Sequence, residues 1–403
     1  MPILGASAAG AKGPSTAPTI GTATAGNGEA TVSFTAPSFS KLPITSYTVT
    51  SSPGSFVGTG PSSPITVTGL SNGTTYTFSV TATNANGTSV ASSASNSVAP
   101  ATPTFGYRIG GMNAIFTNSY STSIDKFNQN AETMSQISNS YSSANGRSNA
   151  GLTNSGVAVY AAGGYAGDES PAVRSQISKV NVVTDSLSTL GATLVTGNGE
   201  PAGISNTGTS GYICGGYEGS NSVNRVQKLT FSNDANSNLG AILGGTNRSG
   251  CTFADAKTTG FWASGYDGAS WVNIVRRVTF SNDTVSTVSG PTAFMAGACF
   301  SEYGVAGYNY GNAYNNANEI KKFTFSTTTY SILPGIMGTA LYGGAASQGP
   351  AAGYEFGGQE STNLYTTCQK LVFSTGTASI LSAVTSAAIS NSTLGATYNV
   401  GVQ

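Results

Sequence analysis

The chain says nearly the same thing twice: residues 211–234 read GYICGGYEGSNSVNRVQKLTFSND and residues 260–283 read GFWASGYDGASWVNIVRRVTFSND. The same order of features returns four more times, as TFGYRIGGM with IDKFN, VYAAGGY with ISKVN, YGVAGYN with IKKFTFS, and GYEFGGQ with CQKLVFS. The second small residue of each doublet falls at Gly111, Gly164, Gly216, Gly265, Gly307 and Gly358, a mean spacing of about 49 residues. A unit of that length cannot bury its own faces and is stable only against like neighbours. The repeat therefore sets the architecture.

Period-two alternation bounded by Gly, Asn and Ser divides each copy into four short strands. The first is made of small residues and begins near 150, 202, 251, 298, 344 and 387; the second is the aromatic run ending in the doublet. The third carries Lys or Arg before an apolar residue, and a polar turn such as Ser281-Asn282-Asp283 leads into a fourth such as DTVSTV or TASIL. Four antiparallel strands repeated at this period read as the blades of a β-propeller, six of them, with seven as the alternative. The first copy has no preceding first strand, so residues 387–390 are expected to return as the innermost strand of blade one and hide the ring edge, leaving 398–401 surplus. In its doublets and the third strand that follows, the stretch 104–403 resembles the kelch group of propellers. That likeness implies a fold and no particular activity.

Upstream, ATVSFTAP (30–37), ITSYTVTSSPG (44–54), SPITVTGL (63–70), GTTYTFSVTATNANGTS (73–89) and SNSV (95–98) alternate between turns about every ten residues. Tyr76 stands six residues after Leu70, Tyr47 lies in the third strand, and Phe34 occupies a place where Trp is common. These segments resemble a fibronectin type III domain, an Ig-like β-sandwich, with Tyr76 as its tyrosine corner. The whole chain is thus expected to be all-β: an N-terminal arm at 1–16, the sandwich at 17–98, a stiff Pro-containing linker at 99–104 and the propeller at 105–403.

Chemistry is limited by composition. The chain has no histidine, which removes the commonest general base and metal ligand and with it Ser-His-Asp, Cys-His and copper-propeller sites. Acids such as Asp168, Glu169, Asp255, Asp267, Glu302, Glu355 and Glu360 are expected in or near loops, yet no spacing marks a pair for glycoside hydrolysis. No cofactor or metal is expected, and no enzymatic activity. Sixteen cations balance sixteen acids, so nucleic acid is not an expected partner. No apolar run is long enough for membrane insertion, and the start, MPILGASAAGAKGPSTAP, reads as a flexible or docking arm rather than a signal peptide. Cys214, Cys251, Cys299 and Cys368 lack CxxC spacing and are expected to be small buried hydrophobes.

Six cations recur before the third-strand apolar residue: Lys126, Lys179, Lys228, Arg277, Lys322 and Lys370. A residue required in every copy is expected at a blade-to-blade contact or a solvated strand face, and the tyrosines after the doublets, Tyr165, Tyr217, Tyr266 and Tyr308, are expected to pack between blades. Function should lie where copies differ. The loops between second and third strands hold Tyr120, Trp271, Tyr310, Tyr314, Tyr365 and Glu360, a mixture suited to a sugar face or a protein partner. Strand order puts these loops on one face and the linker on the other. Low-charge modules such as ATAGNGEATVSFTAP resemble those on structural proteins of tailed bacteriophages. This implies a non-enzymatic virion protein, assembled in the host cytoplasm and then extracellular, docked to other virion proteins through residues 1–100. It would be present in several copies and show its propeller to a host-surface glycan or protein. A purely structural head or tail decoration protein is the alternative, and a bacterial extracellular carbohydrate-binding protein a second.

Overall fold

The structure, a computed structural model, describes residues 15–389 apart from short stretches, the longest of which are 138–149, 166–172, 289–297, 311–318 and 337–344. The chain divides into two compact units, Met1–Pro103 and Thr104–Gln403. Every helix or strand element among the described residues is a β-strand.

In the first unit, Thr19–Ala25, Glu29–Thr35 and Ile65–Thr68 form one antiparallel sheet, and Val57–Gly60, Ile44–Ser52, Thr77–Asn84 and Gly87–Thr88 form the other. Alternate residues face inward, so Ala30, Val32 and Phe34 meet Phe78, Val80 and Ala82 in one core with Tyr47, Leu70 and Tyr76. The Tyr76 ring is buried and its hydroxyl accepts the Ser71 N–H at 3.1 Å, tying down the turn ahead of its own strand. Phe34 lies 4.8 Å from the Tyr47 ring, so the smaller aromatic still fills its site. The expected linker begins as part of this unit: the Gly73 N–H donates to the Pro100 carbonyl at 2.8 Å and the Ala101 N–H to the Gly26 carbonyl at 3.0 Å. Backbone bonded in that way is no spacer. Of the expected arm, residues 1–14 lie outside the described residues, while the Thr16 N–H donates to the Phe39 carbonyl.

The second unit contains, among its described residues, six larger antiparallel sheets that follow one another along the chain, each with strands side by side in sequence order. The third, for example, is Ala202–Asn206, Ser210–Cys214, Val226–Thr230 and Ala235–Gly240. Pleating gives every sheet two apolar faces, and each packs against a neighbour. Tyr107 and Ile124 of sheet one meet Val159 and Val180 of sheet two. Tyr160 and Ile177 meet Ile213 and Leu229 of sheet three; Tyr212 and Val226 meet Trp262 and Val278 of sheet four. Phe253 and Val275 meet Cys299 and Phe323 of sheet five; Tyr308 and Ile320 meet Ala346 and Leu371 of sheet six. Tyr354 and Phe356 of sheet six in turn pack on Phe127 of sheet one.

Sheet one has three described strands, Phe105–Ile109, Ile124–Asn128 and Thr133–Gln136. Residues 387–389, expected as its innermost strand, instead prolong Thr377–Ile389, the outer strand of sheet six, where Ile389 pairs with Tyr365. That strand runs unbroken because nothing from Thr377 to Ile389 stops it, neither Gly nor Pro. Ser390 and 398–401 lie outside the described residues. Gly307 is also displaced from its expected role. Tyr308 pairs with Lys322 in the register that joins Tyr160 to Lys179 and Tyr354 to Lys370, so Ala306-Gly307 lies inside a strand. Gly307 is small for packing reasons, since a Cβ there would come within 2.3 Å of Phe253.

The recurring cations cross between sheets. The turn joining third to fourth strands holds one residue in left-handed backbone, Glu132, Asp185, Asp234, Asp283 or Thr328, all with φ between 53 and 56°. Where that residue is acidic it reaches the preceding sheet. Lys126 Nζ bonds Asp185 at 2.8 Å, Lys179 bonds Asp234 at 2.6 Å and Lys228 bonds Asp283 at 2.9 Å. Tyr107, Tyr160 and Tyr212 donate their hydroxyls to the same carboxylates at 3.0, 2.8 and 2.7 Å. Lys370 of sheet six pairs in the same manner with Glu132 of sheet one. Burial, and then the adjacent carboxylate, raise the pKa of each of those three phenols, so they remain donors.

Two junctions depart from this pattern. Lys322 and Tyr308 turn to Glu302 of their own sheet, at 3.7 and 2.6 Å. Between sheets four and five the trio is Phe261, Arg277 and Thr328, with no acid, and Arg277 Nε has no hydrogen-bond partner among the described residues. This junction is crossed by a disulfide, Cys251–Cys299, joining the first strands of the two sheets across 48 residues of sequence. Two of the cysteines expected as buried hydrophobes are therefore a cross-link. The two positions are offset by one in the repeat, Phe253 standing two residues after Cys251 and Phe300 one after Cys299, and the adjacent inner strands bring their Cα atoms within 5.9 Å. Cys214 and Cys368 are free and buried, and burial pushes the Cys214 thiol up to about 12.

Candidate ligand-binding face

In sheets two, three and four the doublet ends the second strand in backbone that only glycine takes easily, Gly164, Gly216 and Gly265 having φ of 100, 107 and 123°. Gly216 has φ +107°, and a Cβ there would come within 2.0 Å of Asn198 Oδ1. The contact is required by a network: Asn198 Nδ2 donates to the Gly215 carbonyl at 2.6 Å and Asn198 Oδ1 accepts the Tyr217 N–H at 2.8 Å. Asn198 comes from the loop before sheet three. Its side chain fixes the exit of the second strand and aims the residue after the doublet.

The residues so aimed form a continuous group. Tyr165, Tyr217 and Tyr266 each follow a doublet in sheets two, three and four, and all three are half-buried. Glu200 and Arg248 stand just before the first strands of sheets three and four. The Tyr165 hydroxyl donates to Glu200 Oε1 at 3.3 Å, and Arg248 Nε lies 3.7 Å from Glu200 Oε2. The Arg248 guanidinium sits 4.7 Å from the Tyr217 ring centroid and 5.1 Å from that of Tyr266. Backbone bridges Gly199 to Tyr217 and Arg248 to Tyr266 tie each of these loops to the residue after the second strand of its own sheet. Trp271 meets Tyr266 edge-on, ring centroids 5.9 Å apart and planes at 69°. It is carried by a turn that Asp267 braces, its Oδ1 accepting the N–H groups of Ser270 and Ala269 at 2.7 and 2.8 Å. Those two donors hold the carboxyl below the usual carboxylate range. Beside this group Arg225 pairs with Glu218.

Aromatic rings, a guanidinium and carboxylates alternate here at one end of three consecutive sheets. Such a surface can stack the C–H face of a sugar or an apolar side chain while the charged edges take hydroxyls or amides. Among the described residues no group of three or more Cys, Asp or Glu is placed to hold a metal ion.

Of the residues expected to carry the site, Trp271 joins this group. Tyr365 packs against the apolar cluster between sheets five and six, so its ring serves the core. Tyr120, Tyr310 and Glu360 end the strands Ser119–Tyr120, Ala306–Tyr310 and Ala352–Glu360 rather than standing in loops, because hairpin pairing runs further than the turn residues suggest. Tyr314 lies outside the described residues. Glu355, expected near a loop, is mid-strand and fully buried. Arg248 and Glu200 escape sequence reasoning that seeks variable positions after the second strand. The loop before the first strand shares that face and is the place to look.

A curated protein similar to this chain is not found. The fibronectin type III family profile matches residues 16–98, the stretch that holds both sheets of the first unit and the Tyr76–Ser71 bond. The first unit of this all-β chain is a fibronectin type III domain.

Proposed function

We propose that residues 104–403 are a six-bladed propeller that recognises a surface glycan through the face bearing Tyr217, Arg248, Tyr266 and Trp271. The observation that carries the recognition reading is the half-buried row of rings and charges from Tyr165 to Trp271, each loop tied to its own sheet by a backbone bridge and linked to the next by Arg248 on Glu200 and Tyr217. Preorganised, partly exposed aromatics of that kind suit carbohydrate faces. The ring reading is supported by the apolar contact and the Lys370–Glu132 pair between the sixth and first sheets. The setting we propose is a non-enzymatic virion protein of the kelch-like, phage-tail type, docked through its N-terminal region. The near absence of charge, 8% of residues, and the fibronectin type III domain support it.

The test is binding of the full chain to a glycan array and to intact bacterial cells, beside Trp271→Ala and Arg248→Ala. Saturable binding, weakened about tenfold or more by either change, is the expected result. Binding that ignores both changes would place recognition elsewhere. No binding to any surface would favour a purely structural decoration protein.

A further inference from the structure

The seam between sheets six and one departs from the repeat at one position. The residue after the third strand is apolar in five sheets, namely Val182, Phe231, Phe280, Phe325 and Phe373, and in sheet one it is Gln129. The phenylalanines share one role, each stacking on an aromatic of the preceding sheet. Phe231 lies 5.2 Å from Tyr160, Phe280 5.2 Å from Tyr212, Phe325 5.2 Å from Phe261 and Phe373 5.1 Å from Tyr308. At the seam the corresponding aromatic is Tyr354, and no phenylalanine follows Phe127 and Asn128 to stack on it. Gln129 instead turns to the first strand of sheet six, its Nε2 donating to Ser347 Oγ at 2.8 Å and to the Gln348 carbonyl at 3.0 Å.

What remains is a cleft of about 280 Å³, lined by Tyr354, Gln129, Gly349, Glu132 and Lys370 among others. Gln129 is 6% exposed, and its Oε1 is buried with no hydrogen-bond partner among the described residues. That oxygen borders Gly349, where a Cβ would come within 2.7 Å of it. A buried acceptor without a donor costs free energy, which a ligand supplying the donor would recover. The paired Lys370 and Glu132 add donors and acceptors at the cleft wall.

We propose that this seam cleft is a second binding site, distinct from the aromatic face, for one pyranose ring. The sugar takes the place that phenylalanine fills elsewhere, at the edge of the Tyr354 ring that Phe127 covers, one hydroxyl donating to Gln129 Oε1 and others meeting Lys370 and Glu132. The size of the cleft admits a single ring rather than a chain, and the lining offers one aromatic and a few convergent polar groups, as small-molecule sites do.

The test uses the full chain and the methyl glycosides of glucose, galactose and N-acetylglucosamine, followed by saturation-transfer NMR and calorimetry. At least one glycoside is expected to bind at millimolar or lower concentration. Gln129→Phe restores the residue of the other repeats, and Gly349→Ala places a methyl against Oε1. Each should weaken binding tenfold or more while thermal unfolding shows the fold kept. Binding that persists in Trp271→Ala and is lost in Gln129→Phe belongs to the cleft, which separates it from recognition by the aromatic face. Failure of all three glycosides to bind, or equal binding by Gln129→Phe, would overturn the proposal.

Discussion

Asp234 illustrates how much one turn residue can hold. Its left-handed backbone at φ 53° suits Asp or Asn, and its carboxylate gathers Lys179 and Tyr160 from the preceding sheet. The two ionic side chains are 22% and 27% exposed, so solvent screens the pair in part. Asp234→Ala should cost about 1–2 kcal/mol in urea unfolding, most of it from leaving the lysine and phenol unpartnered. The converse change tests the same logic. Thr328 has the same φ of 53° and stands at the junction where Arg277 Nε lacks a partner among the described residues, so Thr328→Asp should add about 0.5 kcal/mol. A loss of stability there would show that the turn does not deliver its side chain to the previous sheet. Glu355 gives a pH signature. Its carboxyl is fully buried, accepts one N–H from Gln369 at 3.2 Å, and is held well above the ordinary carboxylate pKa by desolvation. The folded state therefore holds this proton more tightly than the unfolded state. Its stabilising effect is complete below the unfolded carboxylate's pKa and is lost as pH rises through the folded one, at a limiting slope of about 1.4 kcal/mol per pH unit. Glu355→Gln should unfold at higher urea than the native chain at pH 8, with the difference shrinking toward pH 4. A constant difference across that range would contradict the assignment.

At the scale of strands and sheets, much is legible in the sequence. Alternation of apolar and polar residues marks strands, and most strand positions follow from it because pleating enforces that period. Copies of Lys before an apolar residue announce a sheet-to-sheet role for the same reason: a demand repeated in every unit is a demand of the scaffold. The partner of each lysine is not legible. For all but Lys322 it belongs to another sheet, as Asp234 does for Lys179, 55 residues downstream, and no local pattern links the two. The doublet of the fifth copy misleads because VAGYN imitates one, while only pairing with Lys322 reveals the register. The disulfide escapes for want of a CxxC spacing and because Cys251 and Cys299 stand one place apart in the repeat. It spans the junction that lacks the ionic trio, and so carries more of the burden there. Replacing both cysteines by serine, or adding reductant, should lower stability by about 3–4 kcal/mol for a loop of 48 residues, read from denaturant midpoints. Cys214→Ser, at a free thiol buried in another sheet, should leave the loss caused by reductant unchanged.

Over the whole molecule, the proposed ring stands or falls at its seam. Four of the six sheet junctions carry a lysine from one sheet and an acid from the next, and the seam is one of them. The cleft requires the ring, because sheet one must meet sheet six, whereas the aromatic face needs only sheets two, three and four side by side. The sequence can indicate repetition and number of copies, but closure depends on residues 238 apart, Glu132 and Lys370, and no local signal ties them. The most direct measurement is a double-mutant cycle on that pair, with Glu132→Ala, Lys370→Ala and the combination, beside the same cycle on Asp234 and Lys179. A coupling of about 1 kcal/mol in both cycles is the result expected of a closed ring. Coupling between Asp234 and Lys179 with none between Glu132 and Lys370 would mean an open array, and would contradict it.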